Sequence, residues 1–227
     1  MIAPSRSVGT HFNGGDVITI GVTGGIGSGK SAVAEMLAAR DAALVNADQV
    51  GHETYRRGTE SYLRIVSAFG PEIVGGDGEI DRRKLGRLVF QDSGARLRLQ
   101  SIVWPAMRRM MKDRLDELRA EDAGVAVLEA AVLIEADWLP LVDEVWLVSA
   151  SKAAVRRRLV EIKGLTPEEA ESRVNAQISD DERRRHADVV IENSGTLEGL
   201  ESEVARLWSD LERRVEGTLS RRGADRE

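Results

Sequence analysis

The chain contains no cysteine. Disulfide bridges and thiolate metal sites are therefore excluded, which suits a reducing compartment. A surplus of positive charge is also missing: 32 Lys and Arg stand against 38 Asp and Glu, for a formal net charge of −6 and a pI near 5.3. That balance argues against broad nucleic-acid binding, which needs cations to meet a phosphate backbone. No uninterrupted apolar run approaches the roughly 20 residues of a membrane-spanning helix. The richest run, Val125 to Ile134, is broken by Glu129. The start, MIAPSRSVGTHFNGG, has no apolar stretch of the secretory kind. Residues 1–16 read as an unstructured leader, and the expected location is cytoplasmic. The charged end, 215–227, reads as a frayed tail. No internal repeat is visible, and His52 and His186 have no partner at metal-ligand spacing.

What is present suffices for one α/β core with inserted segments: 227 residues, 42% of them hydrophobic. Five short apolar runs read as strands: Val17–Val22, Ala43–Asn46, Val125–Leu128, Val145–Val148 and Val189–Ile191. Helical patterns fall between them, which predicts a mostly parallel sheet covered on both faces. The second and third runs lie too far apart for a simple crossover, so a helical insertion is expected there. Within it, Trp104-Pro105 reads as a helix start, and Met107, Met110, Met111, Leu115 and Leu118 as a core stripe. A second insertion follows Ser149. Thr166-Pro167-Glu168-Glu169 carries the marks of a capping box, and Ser179 with Glu182 those of a second. This segment is rich in arginine: Arg156, Arg157, Arg158, Arg173, Arg183, Arg184 and Arg185. Leu197, Leu200, Val204, Leu207 and Leu211 mark a closing amphipathic helix.

Residues 21–31 read GVTGGIGSGKS, and Gly24 to Ser31 fits G-x-x-x-x-G-K-[ST] in full. A strand pattern precedes the match and a helix pattern follows it, as a phosphate cradle requires. The glycines let backbone N–H groups converge, and the helix N-terminus adds partial positive charge. In such a loop Lys30 reaches the β- and γ-phosphates of ATP and the Ser31 hydroxyl ligates Mg²⁺. Phosphoryl transfer further needs a base and cations for the transition-state charge. Asp48 follows the second strand, on the side where an open α/β sheet holds its ligand, and reads as a general base or as an N-cap. Glu129 follows the third apolar run and reads as a Mg²⁺-organising carboxylate, a cap or an exposed ion-pair member; Glu135 reads the same way. The arginines of the second insertion suit a lid that closes over ATP. Arg173 flanks an apolar face and is the more specific candidate. At least one of Arg156 to Arg158 belongs on a solvated face.

GVTGGIGSGKS, NADQVGHETYRRG, AFGPEIV, DGEIDRRKLGRLVF, EAAVLIEADW and HADVVIENSG, in that order, together resemble dephospho-coenzyme A kinase. The similarity runs from about Ile18 to Trp208. Trp104-Pro105, EAAVLIEADW and VDEVWLV are similar to the kinase domain of the animal bifunctional coenzyme A synthase, although no transferase domain is expected here. The resemblance implies phosphorylation of the dephospho-CoA ribose 3′-hydroxyl by ATP with Mg²⁺. It implies an adenylate-kinase-like P-loop NTPase core over 17–49, 119–151 and 188–214, a helical CoA-binding insertion at 50–118 and a lid at 152–187. It also implies Asp48 as catalytic aspartate, with Lys30 and Arg173 beside it in catalysis. Gly25, Ile26, Gly27, Ser28, Gly29, Lys30 and Ser31 would form the ATP loop, and Arg157 and Arg158 would be lid arginines. One inserted residue near Val160 blurs the last pair. Three positions depart from the family pattern. Asn46 and Glu129 stand where aspartates are usual, and Ile162-Lys163-Gly164 stands for Arg-Asp-Gly, leaving Lys163 a non-equivalent cation. From the residues alone, a P-loop kinase of another alcohol or nucleotide and a catalytically inactive nucleotide-binding regulator remain open.

Overall fold

The computed structural model describes residues 17–121 and 124–224. The expected leader at 1–16 lies outside them. Five strands form one sheet: β1 (Ile18–Thr23), β2 (Ala43–Asn46), β3 (Val125–Glu129), β4 (Glu144–Ser149) and β5 (Val189–Glu192). Their order is β2-β3-β1-β4-β5 and every pairing is parallel. Side chains alternate between the faces, as the period of two demands. Ile18, Ile20 and Val22 of β1, Val125 and Val127 of β3, and Trp146 and Val148 of β4 point one way. They meet Val33, Ala34 and Leu37 of α1 (Lys30–Ala38) and Leu200, Val204 and Leu211 of α9 (Leu197–Ala224). Ala126, Leu128 and Val145 face the other side. That side is covered by α2 (Ala47–Thr54), α3 (Glu60–Phe69), α4 (Arg82–Gln91) and α5 (Ser93–Ala120). Val50, Ile65, Leu85, Met107, Met111 and Leu115 are their buried contributions, and the methionine–leucine stripe is core.

Register positions the site. Glu129 pairs with both Val22 and Asn46, so the C-terminal ends of β1, β2 and β3 are level. Residues that leave these three ends meet on one edge of the sheet. Between β4 and β5 run α6 (Lys152–Arg157), a π turn over Arg158–Ile162, α7 (Pro167–Asn175) and α8 (Asp180–Arg184).

Several local expectations are corrected. Pro105 does not start a helix: α5 begins at Ser93, where the Asp92 side chain accepts from Gly94 N at 2.7 Å. A mid-helix proline costs about 3 kcal/mol, and α5 sustains it by burying Ile102, Val103, Ala106 and Met107 around it. The Thr166 capping box is complete, whereas at Ser179 only half forms. Ser179 accepts from Glu182 N, but the Glu182 carboxylate turns to Arg185 Nη1 at 2.6 Å. Leu197 is exposed, unlike the rest of its stripe. The backbone of α9 stays helical to Ala224, so the expected tail is helical over 215–224. Its Leu, Glu and Arg content favours continuation, and Gly217 alone does not break it.

Candidate active site

The loop between β1 and α1 turns on glycines. Gly27 and Gly29 have φ of 75° and 100°, in the left-handed region that side chains avoid. Gly29 is doubly constrained, because a Cβ there would stand 2.1 Å from Asn193 Nδ2. That amide braces the loop by donating to Ser28 O at 2.7 Å. α1 has no side-chain cap, which leaves its first N–H groups to an anion. Lys30 is the first residue of α1. Burial holds its ammonium below the usual lysine range, Lys163 and Arg183 add to this, and Glu129 and Asp48 oppose it.

The carboxylates and Ser31 converge beside it. Ser31 Oγ donates to Glu129 Oε1 at 2.5 Å, and Asn46 Nδ2 donates to Glu129 Oε2 at 2.6 Å. Glu129 is buried, and with asparagine at 46 it faces an amide; aspartate there would set two carboxylates in contact. Asn46 Oδ1 also accepts from Gln49 N at 3.1 Å and caps α2. The capping role considered for Asp48 is therefore taken by Asn46. Asp48 sits in the first turn of α2, exposed, with its charge acting on Lys30. Among the described residues no cluster of three or more His, Cys, Asp or Glu side chains could hold a metal alone. Ser31 and Glu129 offer hard oxygen ligands of the kind Mg²⁺ accepts together with water and phosphate.

The sequence profile of the family described as "Dephospho-CoA kinase" matches residues 18–199, most of the chain. The chain belongs to the dephospho-CoA kinase family. A dephospho-CoA kinase of Geobacter sulfurreducens is 44% identical over 190 residues, spanning 84% of this chain and 96% of that protein. One from Symbiobacterium thermophilum is 42% identical over 189 residues, spanning 83% of this chain and 79% of the relative. Among solved structures, TT1252 from Thermus thermophilus shares 35% identity at a TM-score of 0.72, covering 86% of this chain and 98% of its own. The dephospho-CoA kinase from Campylobacter jejuni shares 23% identity at a TM-score of 0.65, over 85% and 96% of the two chains, and supports the fold. The parallel P-loop kinase fold expected from the sequence is the one observed.

Within this dephospho-CoA kinase fold, the arginines of the second insertion differ in their surroundings. Arg158 spends its guanidinium on the protein: Nη1 donates to Gly27 O and Ser28 O, each at 3.1 Å, and Nη2 to Asn193 O at 2.7 Å. It splints the loop through these carbonyls. Arg157 is exposed. Arg173 is also exposed and lines a groove of about 540 Å³ with Gly86, Phe90 and Ser172, between α4 and α7. It is absent from the charges that act on Lys30, whereas Arg183 and Lys163 are among them. Sequence reading counted Arg183 only as one of many arginines. It also missed Gln177, whose Oε1 accepts from Ile26 N at 2.8 Å, and Asn193. Their partners lie far away in sequence, and no spacing rule connects them. A cavity of about 720 Å³ between α5 and the Trp138 segment is lined by Trp104, Arg108, Arg109 and Lys112. None of Lys30, Asp48 or Glu129 borders it. No helix among the described residues is long and apolar enough to cross a membrane.

Proposed function

We propose that this protein transfers the γ-phosphoryl group of ATP to the 3′-hydroxyl of dephospho-CoA, giving coenzyme A and ADP. The observation that carries this reading is the convergence of an uncapped α1, Lys30, Ser31, Glu129 and Asp48 on one sheet edge in a chain of this family. The backbone of Gly25 to Ser31 cradles the triphosphate. Lys30 meets the β- and γ-phosphates. Ser31, and Glu129 through Ser31 or water, hold Mg²⁺, which when bound neutralises phosphate charge. Asp48 takes the proton of the acceptor hydroxyl as the oxygen attacks. The acceptor is bound by α2–α5, within residues 50–118, since Asp48 stands where these helices leave the core. Residues 152–187 act as a lid that excludes water.

Substrate choice tests the reading. The helical insertion is larger than an adenosine needs, so it has room for the diphosphate and pantetheine arm. Binding of such remote groups can orient the reacting hydroxyl. Dephospho-CoA should therefore exceed AMP and adenosine in kcat/KM, through kcat as well as KM. Side-by-side assays with ATP and Mg²⁺, with NMR assignment of the product phosphate to the ribose 3′ oxygen, check this. Comparable efficiency with AMP would overturn the proposed acceptor and leave the fold untouched.

A second expectation concerns pH. Lys30 serves phosphate only as the ammonium, and burial lowers its pKa in the free protein. As pH rises through that lowered value, kcat/KM for ATP should fall, starting below the range of an ordinary lysine. Bound triphosphate favours the ammonium, so the corresponding limb of kcat should lie at higher pH. Lys30→Arg, which does not titrate, should lose the limb from whatever activity remains. A kcat/KM limb at or above the ordinary lysine range would contradict the burial argument.

A further inference from the structure

Among the described residues, Arg183 on α8 is the one lysine or arginine that is buried, at 2% exposure. Its side chain is held but not satisfied. Nη1 donates to Ile178 O at 2.7 Å and lies 3.4 Å from Asp180 Oδ1. Nε and Nη2 have no hydrogen-bond partner. Glu135 Oε1 forms an ion pair with Nη2 at 3.5 Å without hydrogen-bond geometry, and Glu135 Oε2 has no hydrogen-bond partner. Nε and Nη2 form one edge of the planar guanidinium, the edge that takes two oxygens side by side. A buried cation with those donors unused calls for an oxygen-rich anion.

The surroundings say which anion. A Cβ built on Gly25 would lie 3.6 Å from Arg183 Nη1 and 3.5 Å from Gln177 Oε1. Gln177 Oε1 in turn accepts from Ile26 N, so this stretch of the phosphate loop already meets an oxygen at that spot. The charge of Arg183 also acts on Lys30. The guanidinium therefore borders the loop on the side shared with Lys30 and Glu135.

We propose that Arg183 is a catalytic residue of the transfer, its Nε–Nη2 edge holding two non-bridging oxygens of the γ-phosphoryl group in flight. This rests on the kinase reading above. The bond from the γ-phosphorus to the β,γ-bridging oxygen breaks and its electron pair stays on ADP. The bond to the acceptor 3′ oxygen forms, and the hydroxyl proton passes to Asp48. Arg183 gains and loses no proton; it supplies fixed positive charge at the non-bridging oxygens of the group in flight. The site is preorganised because Ile178 O and Asp180 hold the guanidinium before substrate arrives.

The test compares the wild type with Arg183→Met and Arg183→Lys. Three quantities are measured: kcat, the affinity for MgADP, and the affinity for MgADP with aluminium fluoride and dephospho-CoA, which mimics the transition state. The expected result is a kcat lower by on the order of 10² in Arg183→Met, with transition-state-analogue affinity lost by the same factor and MgADP affinity unchanged. Arg183→Lys keeps the charge without the fork. It should show a smaller loss in the same two quantities at an unchanged melting midpoint, and it carries the test if the methionine variant does not fold. Added guanidinium should restore part of the methionine variant's turnover. Equal analogue affinity in wild type and Arg183→Lys, or losses of MgADP affinity as large as those of kcat, would make Arg183 a brace for α8 and overturn the assignment. A wild type that forms no coenzyme A would overturn the kinase reading itself, and the assignment with it.

Discussion

Replacing Lys30 by alanine is expected to lower turnover with dephospho-CoA by on the order of 10³ while leaving the melting midpoint unchanged or raised. The loss follows from position. Lys30 opens α1 directly after the glycine loop, where the proposed β- and γ-phosphates lie against uncapped N–H groups. A fixed ammonium there, at a half-buried position, offsets charge that grows as the bridging bond breaks. The unchanged stability follows from the direction of its titration shift. Burial lowers the pKa of Lys30 in the folded chain, so folding disfavours the charged form that exists near neutrality. Removing the ammonium removes that cost, and the side chain belongs to neither core cluster. Kinetics and thermal melting of one preparation check both halves. Near-normal turnover in a folded Lys30→Ala protein would sink the phosphate-loop assignment.

Asp48→Asn should lower kcat by roughly 10³, within the range found when a positioned base is lost, with little change in MgATP affinity. The substitution keeps shape and removes basicity. It is a clean test here because Asn46, not Asp48, caps α2 and hydrogen-bonds Glu129. The helix start and the proposed metal-organising carboxylate therefore keep their partners. Titration of nucleotide binding beside steady-state rates distinguishes the roles. If MgATP affinity collapsed together with kcat, Asp48 would be holding the metal or the fold, and the base would have to be sought elsewhere.

The elements that sequence reading found are those whose signal is local. β1, β2, β3, β4 and β5 fall within a residue or so of the apolar runs that announced them; β1, β3 and β4 are buried along their whole length and so are largely apolar, and the edge strands β2 and β5 are short, mainly β-branched or apolar runs. The misreadings have local causes as well. Pro105 resembles a helix start in isolation, and only the buried flanks of α5 carry the helix through it. Glu182 has the spacing of a capping box, but a nearer arginine competes for its carboxylate. Of the proposed site, the glycine loop, Lys30, Ser31, Asp48 and Glu129 were legible as candidates because they lie at or just after strand ends, and the fold brings them to one edge. Among the arginines, sequence reading preferred Arg173 for its place beside an apolar face and left Arg183 unsingled, since a helix face in the second insertion carries no mark of what it packs against.

By itself, then, the sequence determined the strands, the family and the residues of the glycine loop. Those depend on backbone freedom at glycine, on apolar periodicity and on the donors and charges of neighbouring residues. The tertiary structure decided the strand order β2-β3-β1-β4-β5, which levels Val22, Asn46 and Glu129. It decided that Asn46 caps α2 and leaves the Asp48 carboxylate uncommitted to the cap. It also decided which arginine splints the loop through Gly27 and Ser28 and which one lies buried with its donor edge unspent. A guanidinium is the same group at every position of the chain. Its surroundings, assembled from segments more than a hundred residues apart, set whether it braces a carbonyl, faces water or lies buried beside the glycine loop.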